Sequence, residues 1–175
     1  MALVVEDGTA KADAESYCTT LHAGKYLRDR GRANDWDMLD ILVREQYLRQ
    51  ATDFMTQKYR VRWSGRRFNT TQRLDWPRVG VVIEEFEGGY GMFNVSYETV
   101  PEEIKNACAE LALRASIAPL SEDTSVRVIQ ETIGPITVKY DPNSSTVATY
   151  TAVEEMLKPY MTVRKGSPMM KLSRC

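Results

Sequence analysis

The sequence predicts a mainly α fold: a small helical bundle with an inserted β-hairpin or ribbon and extended N- and C-terminal arms. Three observations predict it. Apolar residues recur at helical spacing through 43–55 and again through 104–115. The period changes to two between 126 and 140. The segment after 163 carries cations and little that would pack. At 175 residues the chain suits a single domain with a core of its own. The reading places that domain at 1–163 and a flexible C-terminal arm at 164–175.

The elements follow in order. The apolar run Ala2–Val5 meets a turn signal at Asp7 and Gly8, which fits a short strand or an extended arm. Thr19 and Thr20 suit the N-cap of a helix through about Arg30, with Gly31 as its C-cap. Asp35 caps the next helix, which lasts to about Tyr59. Val43, Tyr47, Ala51 and Phe54 form its apolar face, with Leu48 and Met55 beside them. Residues 60–80, rich in Arg, Trp, Gly and Pro, read as an ordered loop. Residues 79–83, VGVVI, suit a short strand, and the acidic, glycine-rich run behind them an exposed excursion. Thr99 and Glu102 form a capping-box pattern around Pro101. The helix it opens runs to about Ala118, with Ile104, Cys108, Leu111 and Ala115 as its buried stripe. Between 126 and 140 Ile136, Val138 and Tyr140 alternate and Gly134-Pro135 interrupts, giving two strands or one kinked ribbon. A lone ribbon is not stable in water, so it must pack on its own helices or on a neighbouring chain. Thr151 and Glu154 repeat the capping-box pattern for a short helix through about Leu157.

Composition narrows the chemistry. A formal net charge of −1 lacks the basic excess of a dedicated duplex-DNA binder. Cys18, Cys108 and Cys175 are odd in number and far apart, which argues against a disulfide framework and a zinc site. Cys108, on an apolar helix face, reads as a small buried hydrophobe. The N-terminal residues have neither the basic start nor the apolar run of a signal peptide, and no stretch approaches the roughly 20 apolar residues of a membrane span. A soluble protein of a reducing compartment is expected, without a membrane partner. His22 is the single histidine and has no triad or metal-ligand spacing around it. The run EGGYG (87–91) lacks the GKS/T of a phosphate-binding loop, and Glu84, Glu85 and Glu87 would repel phosphate. Those acids, with Glu98, Glu102 and Glu103, read as a solvated face. No enzyme, no cofactor and no metal are expected.

The strongest local signal lies in RVRWSGRRF (60–68) and QRLDWPRVG (72–80). Lys58, Arg60, Arg62, Arg66, Arg67, Arg73 and Arg78 face one acid, Asp75, with Trp63, Phe68 and Trp76 interleaved. Arginine with aromatics suits single-stranded nucleic acid, where charge meets the backbone and rings stack on bases. It equally suits a protein interface, or tryptophans that plug a bundle beneath solvated arginines, and core or subunit interface is the favoured reading. A basic segment (58–78) followed by an acidic one (84–103) also fits head-to-tail contacts that close into a ring. The candidates for a subunit interface or a DNA path are Arg62, Trp63, Arg66, Arg67, Arg73, Trp76 and Arg78.

LVVEDGTAKADAESYCTTLHAGKYLRDRG (3–31), RWSGRRFNTTQRLDWPRVG (62–80), VPEEIKNACAELALRA (100–115) and ETIGPITVKY (131–140) together resemble a group of small tailed-phage proteins. Trp63, Gly65, Gln72, Leu74, Trp76, Pro77 and Arg78 match its central motif. The acidic excursion at 84–95 and the loop at 141–150 look longer than its pattern. The group is often labelled DnaT-like single-stranded-DNA-binding protein, and its helical organisation is similar to that of head–tail connectors, or adaptors. The favoured implication is a structural virion protein in the neck: a ring, commonly of twelve subunits, between portal and tail around the DNA channel. Its implied partners are the portal, tail or nozzle proteins and nonspecific contact with genomic DNA. Arg164, Lys165, Met169, Met170, Lys171, Leu172 and Arg174 in the tail would then dock on the portal. The alternative is a single-stranded-DNA-binding protein of phage replication.

Overall fold

A computed structural model of the chain describes residues 2–84, 92–121, 130–133, 136–139 and 149–162. Its helices are α1 (Thr20–Arg28), α2 (Asn34–Asp37), α3 (Ile41–Tyr59), α4 (Glu102–Ile117) and α5 (Thr151–Leu157), the last continuing into a 3₁₀ turn at Lys158–Tyr160. Three antiparallel two-stranded pairs accompany them: β1 (Arg66–Arg67) with β2 (Arg78–Val79), β3 (Val82–Glu84) with β4 (Met92–Asn94), and β5 (Gln130–Ile133) with β6 (Ile136–Lys139). The class is mainly α with an inserted ribbon, as the periodicities indicate.

The core is built around α4. Helices α1, α3 and α5 all pack on it, and every residue from Ala107 to Leu113 is buried. Ile104, Cys108, Leu111 and Ala115 are indeed buried, but burial runs well round the helix because three neighbours cover it from different sides. Alanines at 107, 109 and 112 keep it thin enough for that close approach. Each large apolar side chain enclosed here, such as Ile104 or Leu111, contributes about 1.5–3 kcal/mol.

The second helix departs from the sequence reading. It is two helices, because Asp40 sits in extended backbone and its carboxylate accepts from the Leu42 amide at 2.8 Å, restarting the chain as α3. The break turns Trp36, on α2, fully into the core. Within α3, Leu48, Ala51, Phe54 and Met55 are buried, whereas Val43 and Tyr47 stay half-buried. Thr19 caps α1 as expected, accepting from the His22 amide at 3.0 Å, and Gly31 follows that helix with φ +66°. Neither capping box forms. Pro101 and Tyr150 stand at the two N-caps with no side-chain bond. The Thr99 hydroxyl donates to the Ser96 carbonyl instead, and Glu154 is drawn to Lys58 and Arg62.

The N-terminal arm folds back on itself. Glu15 N donates to Val4 O at 2.7 Å and Glu6 N to Ser16 O at 2.9 Å. The buried Glu6 carboxylate accepts from the amides of Gly8, Ala10 and Lys11. The predicted ribbon is present, paired from Gln130 opposite Lys139 to Ile133 opposite Ile136; positions 126–129, 134, 135 and 140, the tip of the acidic excursion (85–91) and most of the 141–150 loop lie outside the described residues. So does the C-terminal arm, with Arg164, Lys165, Met169, Met170, Lys171, Leu172 and Arg174. None of the described helices is long and apolar enough to cross a membrane.

Candidate nucleic-acid interface

The loop between α3 and β3 sorts its side chains into an inside and an outside. Trp63 and Trp76 are inside, 4% and 0% exposed. They continue an edge-to-face chain: Tyr59 to Trp63 at 5.9 Å, Trp63 to Trp76 at 5.8 Å, Trp76 to Tyr160 at 5.5 Å. The sequence puts both tryptophans among the interface candidates. The structure corrects this: α3, the loop and the 3₁₀ turn close over the rings and leave no face open to a base.

Arg78 is inside as well. Its guanidinium donates to three loop carbonyls, Ser64 at 2.7 Å, Gly65 at 2.8 Å and Asp75 at 3.2 Å. Burial pulls its pKa below the usual arginine value. It is a strut of the loop, not a surface cation. Gln72 works the same way, donating to Leu74 O and Pro77 O and accepting from Asn69 N. Gly65 has φ +65°, and a Cβ there would meet the carbonyl oxygen of Val79. The matched positions Trp63, Gly65, Gln72, Leu74, Trp76, Pro77 and Arg78 therefore shape the loop. Trp63, Gln72, Leu74, Trp76, Pro77 and Arg78 are all buried.

Three further cations are taken up by acids. Arg60 pairs with the buried Asp75 at 2.9 Å. Lys58 and Arg62 converge on Glu154 at 3.2 and 3.3 Å, joining α3 to α5. Arg66, Arg67 and Arg73 remain, all exposed. Arg67 donates to the Gln72 carbonyl at 3.2 Å. No ion pair engages any of the three among the described residues, although the charge of Arg73 adds to the lowering of the Glu15 carboxyl, which is caused first by its hydrogen bond with Arg49.

Beside these arginines lies an exposed aromatic pair. Phe68 follows β1 directly, and its amide donates to Pro77 O. It stacks on Tyr97 with centroids 5.4 Å apart and planes 13° from parallel. Each residue is 46% exposed. Phe68 directly follows Arg66 and Arg67 in the chain, where β1 ends in a bend. Phe68 is one of the interleaved aromatics of the sequence reading. Tyr97, in the turn after β4, is missed there; its only signal is an aromatic within a polar, turn-rich run.

The other sequence candidates are structural. His22 Nε2 lies 3.0 Å from Asn106 Oδ1 and 3.7 Å from Glu102, stitching α1 to α4. Cys18 and Cys108 are buried and form no disulfide, with Cys108 Sγ 3.4 Å from Thr52 Oγ1. Among the described residues, no group of three His, Cys, Asp or Glu side chains could hold a metal ion.

A family model matches the whole chain, residues 1–175; the family is described as "Putative DnaT-like ssDNA binding protein", and the chain belongs to it. No curated protein matches, and no solved structure does. The family match overturns the connector expectation. It supports the alternative instead, and the structural virion role, the dodecameric ring and the portal and tail partners are left without support.

Proposed function

We propose that this protein is a non-catalytic single-stranded-DNA-binding protein whose Arg66, Arg67 and Arg73 grip the phosphodiester backbone. One observation carries the reading. Of the seven cations between 58 and 78, these three are exposed and outside any ion pair among the described residues, while the other four are held by Asp75, Glu154 or loop carbonyls. Membership of a family described as single-stranded-DNA binding supports the choice of ligand. A net charge of −1 is compatible with it, because a footprint of few phosphates needs a local patch and not a basic protein.

Three phosphate contacts on a single strand give a slope of log K against log salt of about −2, so affinity falls by about twentyfold between roughly 50 and 200 mM salt. Fluorescence anisotropy of a labelled oligothymidine titrated with the protein at several salt concentrations measures this directly. Saturable binding with such a slope is expected. An absence of binding at the lowest salt would end the reading.

A further inference from the structure

We infer that the Phe68–Tyr97 stack is a platform for an unpaired nucleobase, placed beside Arg66, Arg67 and Arg73 so that one strand engages rings and cations together. This rests on the single-stranded-DNA reading above and adds to it the site that reads the bases.

The geometry supplies the argument. Two nearly parallel rings 5.4 Å apart form a short stack that a third planar group can extend. Both rings are nearly half exposed, although burying them would stabilise the fold. The three tryptophans are all buried, so none of them can serve this purpose. Phe68 directly follows the exposed Arg66 and Arg67 in the chain, which puts cations next to the stacking face. Charge complementarity points to an anionic strand as the occupant, and a planar face is common to every base. A duplex keeps its bases stacked on each other and offers none to the platform.

The N-terminal turn holds the two halves in place. Gly8, with φ +108°, packs so tightly on the Glu98 carbonyl that a Cβ would collide with it, and Glu98 adjoins Tyr97. Three residues on, the Lys11 carbonyl accepts from the amide of Arg73 at 3.1 Å. That turn is itself fixed by the Glu6 carboxylate. The platform is thereby organised before a strand arrives, which lowers the entropic cost of binding.

The test compares two oligonucleotides of equal length, oligothymidine and its abasic counterpart, which has the same phosphates and no bases. Wild-type protein is expected to prefer oligothymidine by about tenfold. Tyr97→Ala and Phe68→Ala should each remove that preference and leave abasic binding unchanged, and Tyr97→Trp should restore it. Both rings are exposed, so these variants fold; circular dichroism checks this. If Tyr97→Ala weakens both ligands equally, or neither, the platform is wrong and the arginine reading stands. If the wild-type protein binds neither oligonucleotide, both ideas fall.

Discussion

Arg67 and Arg78 stand opposite each other across β1 and β2, and their surroundings give them opposite roles. Arg78 spends its guanidinium on the carbonyls of Ser64, Gly65 and Asp75. Arg78→Ala should remove a buried strut and leave the three carbonyls, one of them buried, without this partner, at a cost of about 3 kcal/mol of stability, read from urea denaturation. Arg66→Ala, at an exposed side chain with no partner of its own among the described residues, should stay within about 0.5 kcal/mol. An equal cost for the two would contradict the division of the loop into strut and surface. This division is not legible in the sequence. The arginine–aromatic segment announces itself, but the partner that occupies Arg62 is Glu154, and the ring that meets Phe68 is Tyr97. Both lie far along the chain, and only tertiary structure brings them in.

Among the elements, local signals succeed where local chemistry decides. Thr19 caps α1, and the apolar periodicity of α3 and α4 finds their buried faces, because these depend on residues within a few positions. They fail where a distant group competes. The box at Thr151 and Glu154 is sound as a pattern, yet Lys58 and Arg62 recruit the glutamate. Asp40 acts as a cap inside what the periodicity presents as one helix. Asp40→Ala should therefore destabilise the protein by about 1 kcal/mol, whereas Thr151→Ala should change it by less than about 0.5 kcal/mol. Thermal unfolding of the two variants decides between this assignment and the reverse.

For the whole molecule, the core encloses the phenols of Tyr17, Tyr26, Tyr59 and Tyr160. Burial raises the pKa of Tyr17, Tyr59 and Tyr160 above the ordinary 10.0; nearby carboxylates of Asp75, Glu154 and Glu103 respectively push the same way. The folded values lie above the unfolded one, so this contribution to stability is complete below pH 10 and is lost as pH rises through the folded pKa values. The urea midpoint should decline steadily above about pH 10, with phenolate absorbance appearing as the protein unfolds, and Tyr160→Phe should reduce the decline. A midpoint unchanged to about pH 11 would contradict the enclosure of these hydroxyls. The mainly α class was legible because two periodicities, helical and alternating, are written into the chain. The division of labour among the loop's arginines was not, since the residues matched to the central motif build the loop while Arg66, Arg67 and Arg73, exposed, stand outside that pattern.

The measurement that tests the account most directly is the salt dependence of oligothymidine binding for the wild-type protein and for the triple variant Arg66→Ala, Arg67→Ala, Arg73→Ala. Loss of three phosphate contacts should make the slope shallower by about 2 and weaken binding at low salt, with the fold intact. Identical slopes and affinities for the two proteins would show that these arginines do not hold the strand.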